Sequence, residues 1–301
     1  MRTYFECIPC FVRQTLDAAR RVTEDPAIHE RLLRETLRLA AEMPFDKPPP
    51  WMGQRIHRRL RELTGQADPY RQAKQEANAH ALELYPGLKR EIEASANPFC
   101  AAVRMAIAGN IIDLGAKSHL ADDEIHAAIE HAVDSPIDEM AVNALHRRIQ
   151  EAGDILYLAD NAGEIVFDRL LIEQMSLERV TVVVKGAPII NDATRADAEA
   201  AGLCELVQVI DNGSDVPGTI LEMCSAEFRQ RFEQADLIIA KGQGNYETLS
   251  EADDRIVFLL KVKCPIIARD IGIEVGQLAI RTSDSSDDPQ GHTRLNANAE
   301  R

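Results

Sequence analysis

Two carboxylates and one amide in the second half of the chain are the side chains best suited to binding a metal ion. Asp160 and Asn161 follow the apolar run 155–159, and Asp192 lies in the segment after the run 180–184. Their oxygens are hard ligands that suit Mg²⁺, Mn²⁺ or a similar divalent cation, whereas a zinc site would draw on His or Cys. Each residue alone could also cap a helix or close a turn, so the metal interpretation requires that the three come together.

A lysine in a glycine-containing turn follows the apolar run 237–240, in the sequence Lys241-Gly242-Gln243-Gly244-Asn245. The backbone N–H groups of such a turn, together with the ammonium group, can hold phosphate oxygens. The spacing differs from that of a Walker A loop, which ends in Gly-Lys-Ser/Thr. A plain β-turn is the alternative interpretation, so this motif gains meaning only from its neighbours.

Several other reaction types lack their motif in this sequence. No Gly-x-Gly-x-x-Gly follows the first apolar run, so a standard dinucleotide site is not indicated. Ala162 stands where an aspartyl-phosphate mechanism would need a second Asp, and no Gly-x-Ser-x-Gly nucleophile elbow occurs. The sequence therefore favours attack by water over a covalent enzyme intermediate.

These candidate residues depend on a sheet whose strands alternate with helices after about residue 154. The expected strands are continuously apolar, which is typical of a parallel sheet covered on both faces. Ligands of such sheets bind beyond the carboxyl ends of the strands, where the candidate residues would lie. The expected strands are 155–159, 180–184, 206–210, 237–240 and 265–268, and the expected helices between them are 164–175, 193–201, 219–233 and 255–262.

The first half of the chain predicts helices, because apolar residues recur at helical spacing with charged residues between them. Asp25-Pro26 is typical of a helix start. We expect a helical region at 1–150, an αβα catalytic domain at 151–281, and a tail at 282–301 whose Ser, Asp, Asn and Gly content predicts disorder. The expected helices are 11–22, 28–41, 51–64, 69–85, 98–110, 122–133 and 136–151.

Charge and cysteine usage restrict the classes of partner. The 301 residues include 34 Lys and Arg against 49 Asp and Glu, a formal net charge of −15, so no broad positive field attracts nucleic acid or an anionic membrane. No transmembrane or signal segment is expected. The scattered cysteines are typical of a reduced, cytoplasmic protein. The Cys7-x-x-Cys10 pair could bind a metal or act in redox chemistry, but buried thiols at a helix start are the alternative.

The candidate residues, in their order, resemble the metal-dependent damage-control phosphatases (domain of unknown function eighty-nine), in their stand-alone prokaryotic-type branch. The resemblance spans nearly the whole chain, from Cys7-Ile8-Pro9-Cys10 to Lys263-Cys264-Pro265. Four short blocks carry it: Gly109-Asn110-Ile111-Ile112-Asp113, Asp160-Asn161-Ala162-Gly163-Glu164, Asn191-Asp192 and Lys241-Gly242-Gln243-Gly244-Asn245.

The resemblance implies an α/β fold in which an N-terminal helical region packs on a Rossmann-like three-layer αβα domain with a mainly parallel sheet. It also implies hydrolysis of phosphate esters of small metabolites with Mn²⁺, Mg²⁺, Co²⁺ or Ni²⁺. The implied metal ligands are Asp160, Asn161 and Asp192, which form the expected catalytic set together with Lys241. The implied substrate-binding residues are Asn110, Asp113, Glu164, Gly242 and Asn245.

The expected mechanism is in-line attack of a metal-activated water on phosphorus, with Lys241 and the N–H groups after Asn161 neutralising the phosphoryl oxygens. Asp192 or Asp113 could orient the water. Sugar phosphates, phosphopantetheine-like compounds and nucleotides are the implied substrate classes. Two other functions stay open. One is an S-adenosylmethionine-dependent carboxyl methyltransferase, an activity attributed to a relative in the family, although no Gly-x-Gly loop follows the first strand. The other is a non-catalytic module that binds a phosphometabolite.

Overall fold

A six-stranded sheet lies at the centre of the computed structural model, which describes residues 1–109 and 136–282. The strands are β1 (Ile155–Leu158), β2 (Val180–Val184), β3 (Gln208–Asp211), β4 (Leu237–Lys241), β5 (Ile256–Lys261) and β6 (Leu278–Thr282). Their order is β3-β2-β1-β4-β5-β6, with the first five parallel and β6 antiparallel to β5. This confirms the predicted α/β class with a mainly parallel sheet.

The helices of the described residues fall before the sheet and between its strands. They are α1 (Cys7–Val22), α2 (Pro26–Glu42), α3 (Pro49–Thr64), α4 (Arg71–Ala94), α5 (Pro98–Ala108), α6 (Glu139–Glu151), α7 (Glu164–Ile172), α8 (Arg195–Ala200), α9 (Ala226–Gln234), α10 (Gly242–Leu249) and α11 (Pro265–Ile271). Within these residues no helix is both long enough and apolar enough to cross a membrane.

Helices cover both faces of the sheet, which explains why its strands are continuously apolar. Successive strand residues point to opposite faces. Tyr157 and Val182 belong to one buried cluster with helices α4 to α8. Leu158 and Phe258 belong to a second cluster with helices α9 to α11. The sheet is therefore the middle layer of three.

The helices before residue 150 fall into two groups. Helices α4, α5 and α6 share the core that covers one face of the sheet. Helices α1 to α3 pack among themselves in two smaller clusters, one around Phe11, Met52 and Ile56 and the other around Leu32 and Leu60. A boundary near residue 150 stays a prediction, because half of the expected helical region is built into the core of the sheet.

Two predicted elements have the opposite type in the structure. Residues 256–261, predicted as part of a helix, form strand β5, and residues 265–268, predicted as a strand, lie in helix α11. A short apolar run is compatible with either structure, and here burial from Ile256 to Leu260 on both faces decides for a strand. Pro265 occupies the first position of α11, where the missing N–H costs nothing because that group would be unpaired anyway.

Other differences concern where elements begin and end. Helix α4 continues past Pro86 to Ala94, because Leu88 and Ile92 pack into the core and offset the hydrogen bond that proline removes. The predicted helix 219–233 begins only at Ala226. Strand β6 was not predicted and contains Thr282, so the expected tail cannot begin there. The predicted helix 122–133 and the remaining tail, 283–301, lie outside the described residues.

Candidate active site

The candidate site lies where the strand order of the sheet reverses. Strand β1 has β2 on one side and β4 on the other, so the connections that leave β1 and β4 diverge and open a crevice at their carboxyl ends. Ligands of open parallel sheets bind at such points. Asp160 lies two residues beyond β1, and Lys241 is the last residue of β4. The fold therefore places both predicted residues at the mouth of this crevice.

Backbone pairing brings Asp192 to the other two predicted metal ligands. Asn161 and Asp192 form an isolated antiparallel bridge. Its hydrogen bonds run from the N–H of Ala162 to the carbonyl of Asn191 (2.8 Å) and from the N–H of Ala193 to the carbonyl of Asp160 (2.8 Å). The structure thus brings together the three residues that the sequence singled out, although 31 positions separate Asn161 from Asp192 in the printed sequence.

The backbone is strained immediately before Asn191 and Asp192. Ile190 has a φ of 45°, and it is the one non-glycine residue with positive φ in the described chain. A β-branched side chain is rarely tolerated in this region, and such a conformation costs on the order of 1–3 kcal/mol. Strain of this kind persists where surrounding contacts hold it, and here those contacts include the bridge between Asn161 and Asp192.

Negative charge is crowded in this site. The Asn161 Nδ2 donates to Asp160 Oδ2 at 2.7 Å and to Glu164 Oε2 at 3.1 Å, which directs its amide oxygen away from both carboxylates. Burial, followed by the charges of Glu164 and Asp192, raises the pKa of Asp160 well above its usual range, while Lys263 and Lys185 act in the opposite direction. A positive ligand would relieve this crowding.

The residues present fit a divalent cation. Asp160 is partly exposed, so the three candidate ligands can be reached from solvent. The Nδ2 of Asn161 faces the carboxylate of Asp160, which leaves its Oδ1 available to a cation. In the described part of the chain no group of three or more His, Cys, Asp or Glu side chains is arranged to hold a metal. The fit therefore depends on two carboxylates and one amide oxygen, the hard donor set that Mg²⁺ and Mn²⁺ prefer.

Lys241, predicted to contact phosphate, belongs to a buried hydrogen-bond network. Its side chain is fully buried, and its Nζ donates to Glu164 Oε1 (2.8 Å), Asp168 Oδ1 (2.5 Å) and the carbonyl of Ala106 (2.7 Å). Burial opposes its charge, but Asp168 and Glu164 outweigh burial and hold the pKa of Lys241 above its usual value. The geometry therefore favours a buried counter-charge over the predicted contact with phosphate.

Asn245 and Gly242, predicted to bind substrate, hold the turn in shape. Asn245 is fully buried; its Nδ2 donates to the Lys241 carbonyl (2.7 Å), and its Oδ1 accepts from Thr219 (2.7 Å). Gly242 has a φ of 78°, and a Cβ there would lie 1.9 Å from Asp160 Oδ2. Only glycine lets the backbone approach the carboxylate so closely. These two residues therefore position Asp160 and Lys241.

The remaining groups that were predicted to contact the substrate are buried, already hydrogen-bonded or outside the described residues. Glu164, also predicted to bind substrate, is buried between Asn161 and Lys241. The N–H groups after Asn161, which were expected to face phosphate, are already bonded: that of Ala162 as described above, and that of Gly163 to Asn78 Oδ1 at 2.7 Å. Asn110 and Asp113 lie outside the described residues.

Sequence reasoning missed the loop 212–219, which links the site to the helical region. Asp215 accepts hydrogen bonds from Gln54 (2.6 Å), Arg58 (2.6 Å) and Arg61 (2.6 Å) of helix α3. Burial alone would raise the pKa of Asp215, but these three donors outweigh burial and hold it at about 2. A single Asp in a loop carries no local signal of this kind, because its partners are more than 150 residues away.

The same loop touches the site directly. Lys185, which follows β2, donates from Nζ to the carbonyl of Gly218 and lies 3.5 Å from Asp192 Oδ2. A Cβ on Gly218 would lie 2.1 Å from the carbonyl oxygen of Gly244, so the loop rests on the backbone of helix α10. A lysine at the carboxyl end of a parallel strand was the signal that could have identified Lys185.

The Cys7-x-x-Cys10 pair consists of free thiols at the start of α1. Burial is the main cause that raises the pKa of both thiols, and both also feel the charge of Cys264. Thiols with raised pKa are poor nucleophiles at neutral pH. This favours the interpretation that the pair is structural.

Comparison with known proteins assigns the chain to a family. The damage-control phosphatase ARMT1-like domain matches residues 3–279, so the chain belongs to that family. It is 37% identical to a damage-control phosphatase of Archaeoglobus fulgidus, over 91% of this chain and 97% of that protein. It is 40% identical to the uncharacterized protein MJ0202 of Methanocaldococcus jannaschii, over 90% of this chain and 92% of that protein.

A solved structure agrees with the fold. The crystal structure of a duf89 family protein from Pyrococcus horikoshii, PH1575, superposes with a TM-score of 0.85 at 35% identity, covering 94% of this chain and 99% of that one. The same relative is named damage-control phosphatase PH1575 and is 35% identical over 92% of this chain and 97% of its own length. Membership of this family supports a phosphatase role.

Proposed function

We propose that this protein is a metal-dependent phosphatase that hydrolyses phosphate esters of small metabolites. The observation that carries the proposal is the crowding of Asp160, Asn161 and Asp192 at the carboxyl end of β1. Three hard oxygen donors beside a mouth open to solvent are suited to a divalent cation and a phosphate oxygen together. Family membership supports the phosphatase part, and the donor set supports the metal dependence.

Asp160, Asn161 and Asp192 would hold the cation. When bound, it would supply a Lewis acid that lowers the pKa of a water molecule and neutralises charge on the phosphoryl group. Asn161 contributes its amide oxygen because its Nδ2 is tied to Asp160 and Glu164. Asp192, held by strained backbone, would orient the attacking water in line with the phosphorus atom. No side chain of this set needs to form a covalent intermediate.

The buried network behind the ligands would keep them in place. Lys241 binds Glu164 and Asp168, and Tyr157 donates its hydroxyl to Asp168 at 2.8 Å. Because these groups are shielded from water, their hydrogen bonds are stronger than they would be at the surface. Glu164 would therefore hold Asn161 in one orientation.

Sugar phosphates, phosphopantetheine-like compounds and nucleotides are the substrate classes to test. The experiment measures phosphate release from p-nitrophenyl phosphate and from a panel of such metabolites, with Mn²⁺, Mg²⁺, Co²⁺ or Ni²⁺ and again after EDTA. We expect release that requires metal and stops with EDTA. Release unaffected by EDTA would contradict the metal dependence.

The same panel separates the alternatives. A thermal shift with S-adenosylmethionine but no phosphate release would favour the carboxyl methyltransferase. A thermal shift with phosphometabolites but no turnover under any metal would favour a binding module. Either result would overturn the proposed phosphatase activity.

A further inference from the structure

The helical region contributes one buried amide side chain to the surroundings of the candidate ligands. Asn78 lies inside helix α4 and is 4% exposed. Asparagine is a weak helix former, and a buried amide costs free energy unless its polar atoms are paired. Both polar atoms of Asn78 are paired, and each contact leads to a segment that carries a candidate metal ligand.

The first contact of Asn78 is to the turn after Asn161. Its Oδ1 accepts from the N–H of Gly163 at 2.7 Å. A Cβ on Gly163 would lie 3.1 Å from the Cβ of Ala77 and 3.2 Å from its carbonyl oxygen, so the turn lies directly against helix α4. Helix α7 begins at the next residue. The hydrogen bond therefore fixes the turn that carries Asn161 to the helical region.

The second contact of Asn78 is to the segment after Asp192. Its Nδ2 donates to Asp197 Oδ1 at 2.9 Å. Asp197 lies in the first turn of helix α8, and its Oδ2 accepts from the backbone N–H and the hydroxyl of Thr194 at 2.8 and 2.7 Å. Thr194 follows Asp192 by two residues. One carboxylate therefore connects Asn78 to the segment that carries Asp192.

The two contacts close a ring with the backbone bridge between Asn161 and Asp192. The bridge joins the two ligand-bearing segments directly. Asn78 and Asp197 join the same segments again, two residues farther along each one. A single connection would leave the segments free to hinge about it, whereas two connections fix both their distance and their angle.

The chemistry of the two partners requires an amide at position 78. The N–H of Gly163 only donates, and the carboxylate of Asp197 only accepts. That carboxylate already has a counter-charge, because Lys74 Nζ lies 3.6 Å from its Oδ2. An aspartate in place of Asn78 would set two carboxylates face to face, and a leucine would leave both partners unpaired. An amide of the same size accepts from one partner and donates to the other.

We propose that Asn78 is a positioning residue that sets the relative placement of Asn161 and Asp192 in the candidate cation site. This inference rests on the proposed function. Asn78 would touch neither the cation nor the substrate and would act through Gly163 and Asp197. Groups that orient metal ligands in this way change metal affinity or activity by about 10- to 100-fold when they are substituted.

The test measures Mn²⁺ binding to the full chain by calorimetry, together with the melting temperature of each variant. We expect Asn78→Asp and Asp197→Asn each to weaken Mn²⁺ binding by about tenfold or more, because the first opposes two carboxylates and the second opposes two amide groups. The charge change alone would strengthen Mn²⁺ binding in the first variant and weaken it in the second. Weaker binding in both variants therefore reports geometry.

The double variant Asn78→Asp with Asp197→Asn exchanges donor and acceptor while keeping the net charge. The new amide can donate to the new carboxylate, and Gly163 and Thr194 keep their acceptors. Most of the Mn²⁺ affinity should return in this variant. Asp197→Asn and the double variant carry the test if Asn78→Asp alone does not fold.

Tyr85→Phe is the matched control, because Tyr85 lies on the same helix α4 and donates its hydroxyl to Glu173 at 2.6 Å, just beyond the far end of helix α7. It removes one hydrogen bond away from the ligands and should bind Mn²⁺ like the unaltered protein. Leu88→Ala controls for stability, because Leu88 packs in the core beside the same helix. This variant should melt at a lower temperature and keep its Mn²⁺ affinity.

Two results would overturn the inference. One is Mn²⁺ binding by folded Asn78→Asp that equals or exceeds that of the unaltered protein. The other is a loss of Mn²⁺ affinity in Leu88→Ala as large as that in Asn78→Asp, which would indicate a structural role only. Failure of the proposed function looks different: the Mn²⁺ affinities would follow the expected pattern, yet no ester would release phosphate.

Discussion

The two edges of the sheet carry charge in opposite ways. At the amino ends of the strands, a cavity of about 410 Å³ is lined by Asp154 and Arg231, which pair through two hydrogen bonds of 2.9 and 3.0 Å. At the carboxyl ends, Asp160, Glu164 and Asp192 crowd together, and the buried lysines Lys241 and Lys185 compensate part of their charge. The first edge has a cavity with balanced charge, and the described residues of the second edge carry excess negative charge.

This difference teaches that a cavity alone does not indicate a site, and that excess charge among buried groups is the better guide. A balanced ion pair at the surface contributes little and needs no ligand. Buried carboxylates that raise one another's pKa cost free energy unless a cation or proton joins them. The carboxyl edge is therefore where a cation would gain most from binding.

The largest expected effect is a loss of catalytic activity from substitutions at the carboxyl edge of the sheet and not at the amino edge. Asp160→Ala and Asp192→Ala should each lower metal-dependent phosphate release by more than about 1000-fold, equal to about 4 kcal/mol of transition-state stabilisation. Turnover of p-nitrophenyl phosphate with Mn²⁺ measures this loss. Asp154→Asn, which breaks the pair with Arg231 at the other edge, should turn over like the unaltered protein. If either Ala variant keeps its turnover, that residue has no part in the mechanism.

The next effect compares stability at the two edges. Lys241→Met leaves Glu164 and Asp168 buried without their counter-charge, so we expect a loss of about 3–5 kcal/mol in the free energy of unfolding. Arg231→Met removes a partly exposed pair and should cost at most about 1 kcal/mol. Urea unfolding of both variants measures the difference. Equal losses would show that the network around Lys241 is no more important than a surface pair.

The smallest effect concerns pH. Because Arg58, Arg61 and Gln54 hold the pKa of Asp215 at about 2, its stabilising contribution is complete above the usual Asp pKa and declines as pH falls towards 2. The stability advantage of the unaltered protein over Asp215→Asn should therefore shrink by about 1 kcal/mol between pH 5 and pH 3.

Urea unfolding at the two pH values checks this pH prediction. Asp154→Asn serves as the comparison from the other edge. A constant gap between the unaltered protein and Asp215→Asn would mean that the three donors do not lower the pKa of Asp215. The charge of Asp215 would then contribute nothing to the contact between helix α3 and the loop 212–219.

Much of the fold was predictable because its signals are local. Continuous apolar runs such as 180–184 predicted buried parallel strands, and the polar residues that follow them predicted the edge of the sheet that carries the candidate site. The same rule could not separate strand β5 from helix α11, since short apolar runs fit both structures. Strand β6 ends in a polar segment and left no comparable pattern.

The sequence predicted which residues meet at the end of β1, but not how each side chain is oriented. Asp160, Asn161 and Asp192 meet because each follows a strand of known direction. Whether Lys241 faces the crevice or the interior depends on Glu164 and Asp168, which lie 77 and 73 residues before it. Partners so distant leave no periodicity in the sequence, so the orientation of the Lys241 side chain could not be predicted from it.

The contact between Gly218 and Gly244 has a consequence for how the protein can diversify. Main chain meets main chain there with no side chain between them, so neither partner can accommodate a change in the other by selecting another rotamer. The loop 212–219 and helix α10 are therefore in direct backbone contact. Substitutions that adapt the protein to a new substrate would have to occur where side chains can still repack. We expect Gly218 and Gly244 themselves to tolerate no larger residue.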